Sequence, residues 1–366
     1  MSKIVIDARE LRTSTGRYVE RLLHYLQEID NSNNYVVLLK PKDLEGWHTK
    51  NEHFWAVACP YDEFSFDEQL GFKKQLESLK PDLVHFGMVQ QPVMYGGKVV
   101  TTIHDLTTVR FTNPAKNKVV FKLKQSIYKE VIKRAARKSE AVITPTQFVK
   151  DDLVSFSGVD PAKITVTLEA ADPIDAPATP LLPDLKNREF IMYIGRPTPH
   201  KNLERLIEAF ALLRAAHPHL LLVLAGKKDQ NYRRIAELVA AKGIKNVVFT
   251  DFVSEGQLRW LYEHCEAYVF PSLSEGFGLP GLEAMVHGAP VVSSNATCLP
   301  EVYGDAAHYF DPLNIQNMAD AINEVLTDKK LRQELVDAGK IQAAKYSWRR
   351  LAEQTLKIYQ QALTVD

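Results

Sequence analysis

The segment from Pro271 to Met285 places two carboxylates, Glu275 and Glu283, around a glycine-rich turn. Gly276 and Gly278 allow backbone amides to approach a ligand closely, and Pro280 suits the first turn of a helix. Near a helix N-terminus Glu283 could be held by the dipole alone, but Glu275 on the loop has no such structural reason to be there. Gly276-x-Gly278-x-x-Gly281 also satisfies a dinucleotide fingerprint. It falls late in its domain, however, and the next strand ends Ser293-Ser294-Asn295 without the acid that would bind a ribose, so a nicotinamide cofactor is not expected. Upstream, Ile194 to Asn202 reads as a strand end, a rigid turn and a helix with Asn202 as N-cap. That turn brings Arg196 and Lys201 together, a pairing that suits a pyrophosphate, with solvated surface charge as the plain alternative. His104 and Asp105 end another strand. The histidine could polarise a substrate while Asp105 holds its tautomer, or the two could be a satisfied core histidine and a cap. Finally, Thr13 to Tyr18 is a small polar turn in which Gly16 either admits an anion to a helix N-terminus or simply opens a capped helix.

These residues need strands that end where they begin. Short β-rich runs alternate with helical periods along the chain, the pattern of βαβ units and parallel sheets. Strands are predicted at residues 3–7, 35–39, 82–86, 98–104 and 141–144, then at 190–194, 220–225, 246–250, 267–270 and 290–293. Between them, helical stretches such as 16–29 repeat apolar residues (Val19, Leu22, Leu23, Leu26) at i, i+3, i+4 and i+7. Residues 140–146 echo 266–272, each a buried strand broken by proline. Pro173, Pro177, Pro180 and Pro183 mark a linker at 173–188. The fold class is therefore α/β with two halves, and a last helix is expected over 347–363.

A chain of 366 residues exceeds what one hydrophobic core efficiently serves, which also argues for two domains. Lys plus Arg number 45 and Asp plus Glu 45, so no global field points to a nucleic-acid partner. Cys59, Cys265 and Cys298 lack any zinc-ligand spacing and read as free thiols. The N-terminus runs into a strand too short for a signal sequence, and no apolar run could span a bilayer, so a cytoplasmic protein is expected. One local exception to neutrality is Lys116 to Lys138, where nine basic residues face Glu130 alone. Val120, Leu123, Ile127 and Val131 follow helical spacing there. This reads as a basic amphipathic helix able to rest on anionic lipid, or as a solvated face.

The Glu275 to Glu283 element, with Arg196, Lys201 and Ile103-His104-Asp105 upstream, resembles the GT4 family of retaining glycosyltransferases with the GT-B fold. The Ile103 to Leu106 strand end, with Gly16, Arg17 and Tyr18, resembles its bacterial mannosyltransferase-like members. The resemblance implies two Rossmann-like domains facing across a cleft. These would be an acceptor-side domain of residues 1–172, completed by a returning terminal helix at 349–366, and a donor-binding domain of 189–348. It further implies that Arg196 and Lys201 neutralise the donor diphosphate and that Glu283 accepts from the ribose hydroxyls. Glu275, Gly276 and the amides of Phe277, Gly278 and Leu279 would address the donor sugar, with His104 contacting it from the other domain. Gly16 would meet the phosphates or the acceptor, the main chain at Phe252 and Val253 the base, and Arg17, Tyr18 and Asp105 the acceptor side. The implied partners are a nucleotide sugar, GDP-mannose first and a UDP-hexose second, and a glycan or lipid-linked acceptor. No Asp-x-Asp occurs, so turnover without metal or other cofactor is expected. A sugar-nucleotide epimerase of the same architecture and an inactive nucleotide-sugar binder are the competing readings.

Overall fold

A computed structural model of the chain describes all residues except 14–15, 64, 112–117 and 365–366, together with the side chains of all but 118–124 and 183–184. Ser14, Thr15 and Lys116 thus lie outside the described residues. The chain divides into two compact units. The first comprises Met1–Val109, Lys122–Glu169 and Ser347–Asp366, the second Arg110–Phe121 and Ala170–Tyr346.

Unit 1 contains strands β1 (Lys3–Asp7), β2 (Asn34–Leu39), β3 (Phe54–Ala58), β4 (Leu83–Phe86), β5 (Val99–Thr102), β6 (Ala141–Thr144) and β7 (Ile164–Val166). They form one parallel sheet in the order β3-β2-β1-β4-β5-β6-β7. Unit 2 contains β8 (Phe190–Ile194), β9 (Leu221–Ala225), β10 (Val247–Phe249), β11 (Ala267–Phe270), β12 (Val291–Ser294) and β13 (Ala307–Phe310). These too are parallel, in the order β10-β9-β8-β11-β12-β13. The central strands are short apolar runs buried along their length, as parallel strands covered on both faces must be. Each sheet reverses its winding beside its first strand, between β1 and β4 and between β8 and β11. Such reversals open a crevice at the carboxyl ends of the strands. Gly16 follows β1 and His104 follows β5, while Arg196 and Lys201 follow β8 and Glu275 follows β11.

Three strands escape sequence reading: β3, β7 and β13. All lie at sheet edges, where one neighbour suffices and the apolar signal weakens; Trp55 in β3 faces solvent. The helix Lys118–Lys138 forms, but its buried face is Tyr128, Ile132, Ala135 and Ala136. The expected stripe through Ile127 and Val131 is therefore rotated, and Ile127 is 57% exposed. The physical reason is the hydrophobic cluster beneath the helix, where Ile103, Leu106, Val142 and Leu153 receive the Tyr128–Ile132 face. Residues 173–188 pack with unit 2. The Ile174 N–H donates to His287 Nε2 (3.1 Å), the Thr179 N–H to the Gly256 carbonyl (2.9 Å), and Leu185 is buried. The last helix, Trp348–Thr364, buries Leu351, Ala352, Thr355, Ile358 and Tyr359 within unit 1, where it packs against helix Gly16–Ile29.

Candidate functional site

In unit 2 the turn after β8 places Lys201 against the loop after β11. Lys201 Nζ donates to Glu275 Oε1 at 2.5 Å, with both side chains largely buried, and sits 5.5 Å from the Phe270 ring centre. The position of Lys201 depends on Asn202, which stands at the N-cap position of helix Leu203–Leu213 as predicted but does not cap it with its side chain. Asn202 takes the left-handed conformation (φ +61), which asparagine tolerates better than most residues, and its side chain makes no cap. Its buried amide instead donates to the carbonyls of Pro271 (3.0 Å) and Pro312 (2.8 Å). A backbone bond from the Leu273 N–H to the His200 carbonyl (2.7 Å) completes the attachment. The loops after β8, β11 and β13 are thereby fastened to one another, and Lys201 is carried with them.

Glu275 is held from its other side by the loop after β12. Its N–H donates to Thr297 Oγ1 (3.1 Å) and its carbonyl accepts from Cys298 Sγ (3.3 Å), with Thr297 at φ +55. Arg196 is 72% exposed, and its Nε donates to Asp229 Oδ2 at 2.8 Å. Asp229 also caps helix Gln230–Ala241 through the N–H groups of Asn231 and Tyr232. Burial would raise the Asp229 carboxyl, but Arg196 and the two backbone amides hold it below the usual range.

The glycines of the turn have a packing reason. Gly278 has φ +94, and a Cβ on Gly278 or Gly281 would run into the Tyr303 hydroxyl. That hydroxyl donates to the Gly278 carbonyl at 2.5 Å. Gly276, Phe277 and Gly278 are buried and Leu279 partly so, with Phe277 edge-on to Tyr346. Helix Leu279–Val286 starts one residue earlier than expected, which puts Glu283 just past its first turn, so the dipole explains it less well. It is 9% exposed and accepts from the Tyr262 hydroxyl at 3.4 Å. After β10, Val253 is buried while the Phe252 ring is 80% exposed. Asp251 (φ +70) shapes this bend by accepting from the N–H groups of Lys228 and Phe252.

In unit 1, Gly16 opens helix Gly16–Ile29, and a Cβ there would collide with the carbonyls of Glu10 and Leu11. Arg17 is exposed. Tyr18, expected on the acceptor side, is buried, with its hydroxyl 2.9 Å from Thr102 Oγ1 and its ring edge-on to His104 at 4.8 Å. Asp105 does not hold the histidine tautomer; its Oδ1 accepts from the Thr107 N–H (2.7 Å) and caps the following turn. The carboxylate on His104 is Glu169, 3.1 Å from Nδ1, while Nε2 lies 3.0 Å from the Gly87 carbonyl. Burial alone would lower the His104 pKa, but the hydrogen bond and charge of Glu169 reverse this and raise it.

Comparison with known proteins gives this geometry its family. The model of "Glycosyl transferases group 1" matches residues 182–342, and that of "Glycosyltransferase Family 4" matches residues 15–173. The O-antigen chain mannosyltransferase B of Escherichia coli is 30% identical over 276 residues, which cover 72% of this chain and 70% of that protein. The chain belongs to the family 4 glycosyltransferases. The serotype-specific mannosyltransferase WbdA of Escherichia coli is 36% identical over 215 residues, 57% of the glycosyltransferase but 26% of WbdA. Among solved structures, sucrose-phosphate synthase of Thermosynechococcus elongatus superposes with a TM-score of 0.77 over 99% of both chains at 19% identity. The glycosyltransferase accordingly has the GT-B fold.

Sequence reasoning brought Lys201 and Glu275 to notice but missed the residues that place them. Thr297, Tyr303 and Asp229 carried no signal because each acts on a partner distant in the chain. Asn202 was read correctly as the N-cap position, but its side-chain bridge to Pro271 and Pro312 was not foreseen. Glu169 sits between Leu168 and Ala170 with nothing nearby in the chain to suggest a histidine partner. Among the described residues no helix is long and apolar enough to cross a membrane.

Proposed function

We propose that the glycosyltransferase moves a mannosyl residue from a nucleoside diphosphate donor, GDP-mannose in the first instance, to a glycan or lipid-linked acceptor. Retention of anomeric configuration and independence of metal belong to the same proposal. The observation that carries it is the Lys201–Glu275 pair at the winding reversal of the unit 2 sheet, with Arg196 on the same turn. Breaking the glycosidic bond to a diphosphate builds negative charge on the departing oxygen and cationic character on the sugar. Fixed cations aimed at that oxygen are the largest help a protein can give. Lys201 and Arg196 supply them, and Glu275 keeps Lys201 aimed while addressing sugar hydroxyls. Glu283 and the Val253 main chain hold ribose and base. In the reaction the bond from the anomeric carbon to the diphosphate oxygen breaks as the acceptor oxygen bonds to the same face. The acceptor proton passes to the departing phosphate.

The mannosyl assignment is supported by the mannosyltransferases to which the chain is similar. Metal independence is supported by the lack of Asp-x-Asp in the sequence. The test is transfer from GDP-mannose, UDP-glucose and UDP-galactose to a mixed acceptor pool in EDTA. Product with GDP-mannose and the retained anomer is expected. Transfer from a UDP-hexose alone overturns the donor, and activity restored only by Mg²⁺ overturns metal independence. Epimerised free donor without transfer would favour the epimerase reading. Contact with an anionic membrane through the helix Lys118–Lys138 is also proposed, supported by Lys129, Lys133, Arg134, Arg137 and Lys138 beside exposed Ile127. Salt-sensitive binding to phosphatidylglycerol vesicles is expected, and no binding at low salt overturns it.

A further inference from the structure

The polar groups beneath His104 form a connected set inside unit 1 that the transfer scheme leaves unused. His104 presents each ring nitrogen to an acceptor, Nδ1 to Glu169 Oε1 at 3.1 Å and Nε2 to the Gly87 carbonyl at 3.0 Å. A neutral imidazole carries one N–H, so only the imidazolium satisfies both acceptors. The Gly87 carbonyl is itself rigidly placed, because a Cβ on Gly87 would press on Val19 and approach the Asp7 carbonyl. Below the ring, the Tyr18 hydroxyl pairs with Thr102 Oγ1 (2.9 Å), Thr102 Oγ1 with His85 Nε2 (2.8 Å), and His85 Nδ1 with the Tyr359 hydroxyl (2.6 Å).

The ends of this set are informative. Glu169 is the last residue of unit 1 before the chain passes to unit 2 at Ala170, and Tyr359 lies on the helix that follows its return at Ser347. Glu169, the end of one unit 1 segment, is therefore bonded to His104 itself, while Tyr359, on the last segment of unit 1, is bonded to His85. The titratable groups around His104 are Glu169 on the segment after β7, Asp105 beside it at the end of β5, His85 on β4 and Tyr18 on helix Gly16–Ile29. Of these, His85 is buried between two hydroxyls and Asp105 is engaged by the Thr107 N–H. Glu169 alone is bonded to the ring.

We propose that Glu169 is a positioning residue that holds His104 as an imidazolium anchored on the Gly87 carbonyl, so that unit 1 contributes a fixed positive charge at the carboxyl end of β5. The proposal rests on the reading of His104 as a site residue. With both ring N–H groups committed, His104 acts on transfer through its charge and not by donating to a sugar hydroxyl. The pair also ties the end of the segment Lys122–Glu169 to the same strand end.

The test uses the full chain and reads two quantities. Ring ¹⁵N signals of His104, followed from pH 5 to 9, are expected to titrate above the ordinary histidine range in the wild type and at lower pH in Glu169→Gln. In parallel, the alkaline limb of the kcat profile should move down in Glu169→Gln with little change in donor KM. Each unit of that displacement lowers kcat about tenfold above the midpoint. Glu169→Asp should restore much of the loss. A wild-type His104 that is neutral at pH 7, or a midpoint unchanged by Glu169→Gln, overturns the proposal. If the glutamine variant does not fold, the wild-type titration decides alone. Full turnover in His104→Ala would instead remove His104 from the site while leaving the titration result standing, so the two readings fail separately.

Discussion

Lys201 and Glu275 form a short ion pair whose value lies in preorganisation more than in stability. Taking two charges this far out of water returns little net folding energy, but under the proposed mechanism a cation already aimed where charge will grow needs no reorganisation during reaction. Lys201→Ala is therefore expected to lower kcat about 10²-fold or more, with a smaller effect on donor KM. Lys201→Arg should recover only part, since a planar guanidinium cannot occupy the place of a compact ammonium. Steady-state kinetics on both variants check this, and near-normal kcat in Lys201→Ala would remove the residue from the site. At this scale the sequence was legible for residue types: cations on one turn and a carboxylate on a glycine loop suit phosphate and hydroxyl chemistry. It was not legible for Tyr18, a tyrosine beside a glycine that the fold turns inward onto Thr102.

The turn from Glu275 to Glu283 shows how a motif can match a pattern for a different reason. Its glycines admit the Tyr303 phenol, which the helix Leu299–Tyr303 delivers from beyond β12. Gly281→Ala should cost about 1–3 kcal/mol through overpacking against a fully buried ring. Adding Tyr303→Phe removes the oxygen but leaves the ring carbons that a Cβ would also meet, so it should return only a small part of that loss, a coupling measurable by denaturant unfolding of both singles and the double. Strict additivity would show that the hydroxyl is not part of the obstruction. A dinucleotide reading predicts no such coupling. Elements with strong apolar runs, such as β1, β8 and β11, were foreseen to within a residue because burial on both faces leaves only such sequences. Of the edge strands only β10 was, while β3, β7 and β13 were not, and the buried face of helix Lys118–Lys138 depended on which cluster lay beneath it.

Across the whole molecule, two buried histidines set opposing pH limits on unit 1. Burial, with the charge of His104 as a second cause, lowers His85 to about 3. The unfolded chain then takes up a proton near pH 6.5 that the folded chain refuses, and stability falls as pH drops below that value. His104 is raised, so its contribution is complete below its unfolded pKa and is lost as pH rises through its folded pKa. These two histidines alone should therefore make stability greatest near the ordinary histidine pKa and lower on either side. His85→Asn should flatten the acid side, seen as a smaller fall in melting temperature from pH 7 to pH 5 than in the wild type. An equal fall in both proteins would exclude His85 as the acid-sensitive group. From sequence alone came the two α/β halves, the parallel strands and the turns that carry Arg196, Lys201 and Glu275, because apolar periodicity and turn chemistry are local properties of the chain. Tertiary structure alone decided which partner each side chain meets: Glu169 for His104, Asp229 for Arg196, Asn202 bridging Pro271 and Pro312. Those bonds join residues 33 to 110 positions apart, and at such separations nothing but the packed fold determines which groups come within reach.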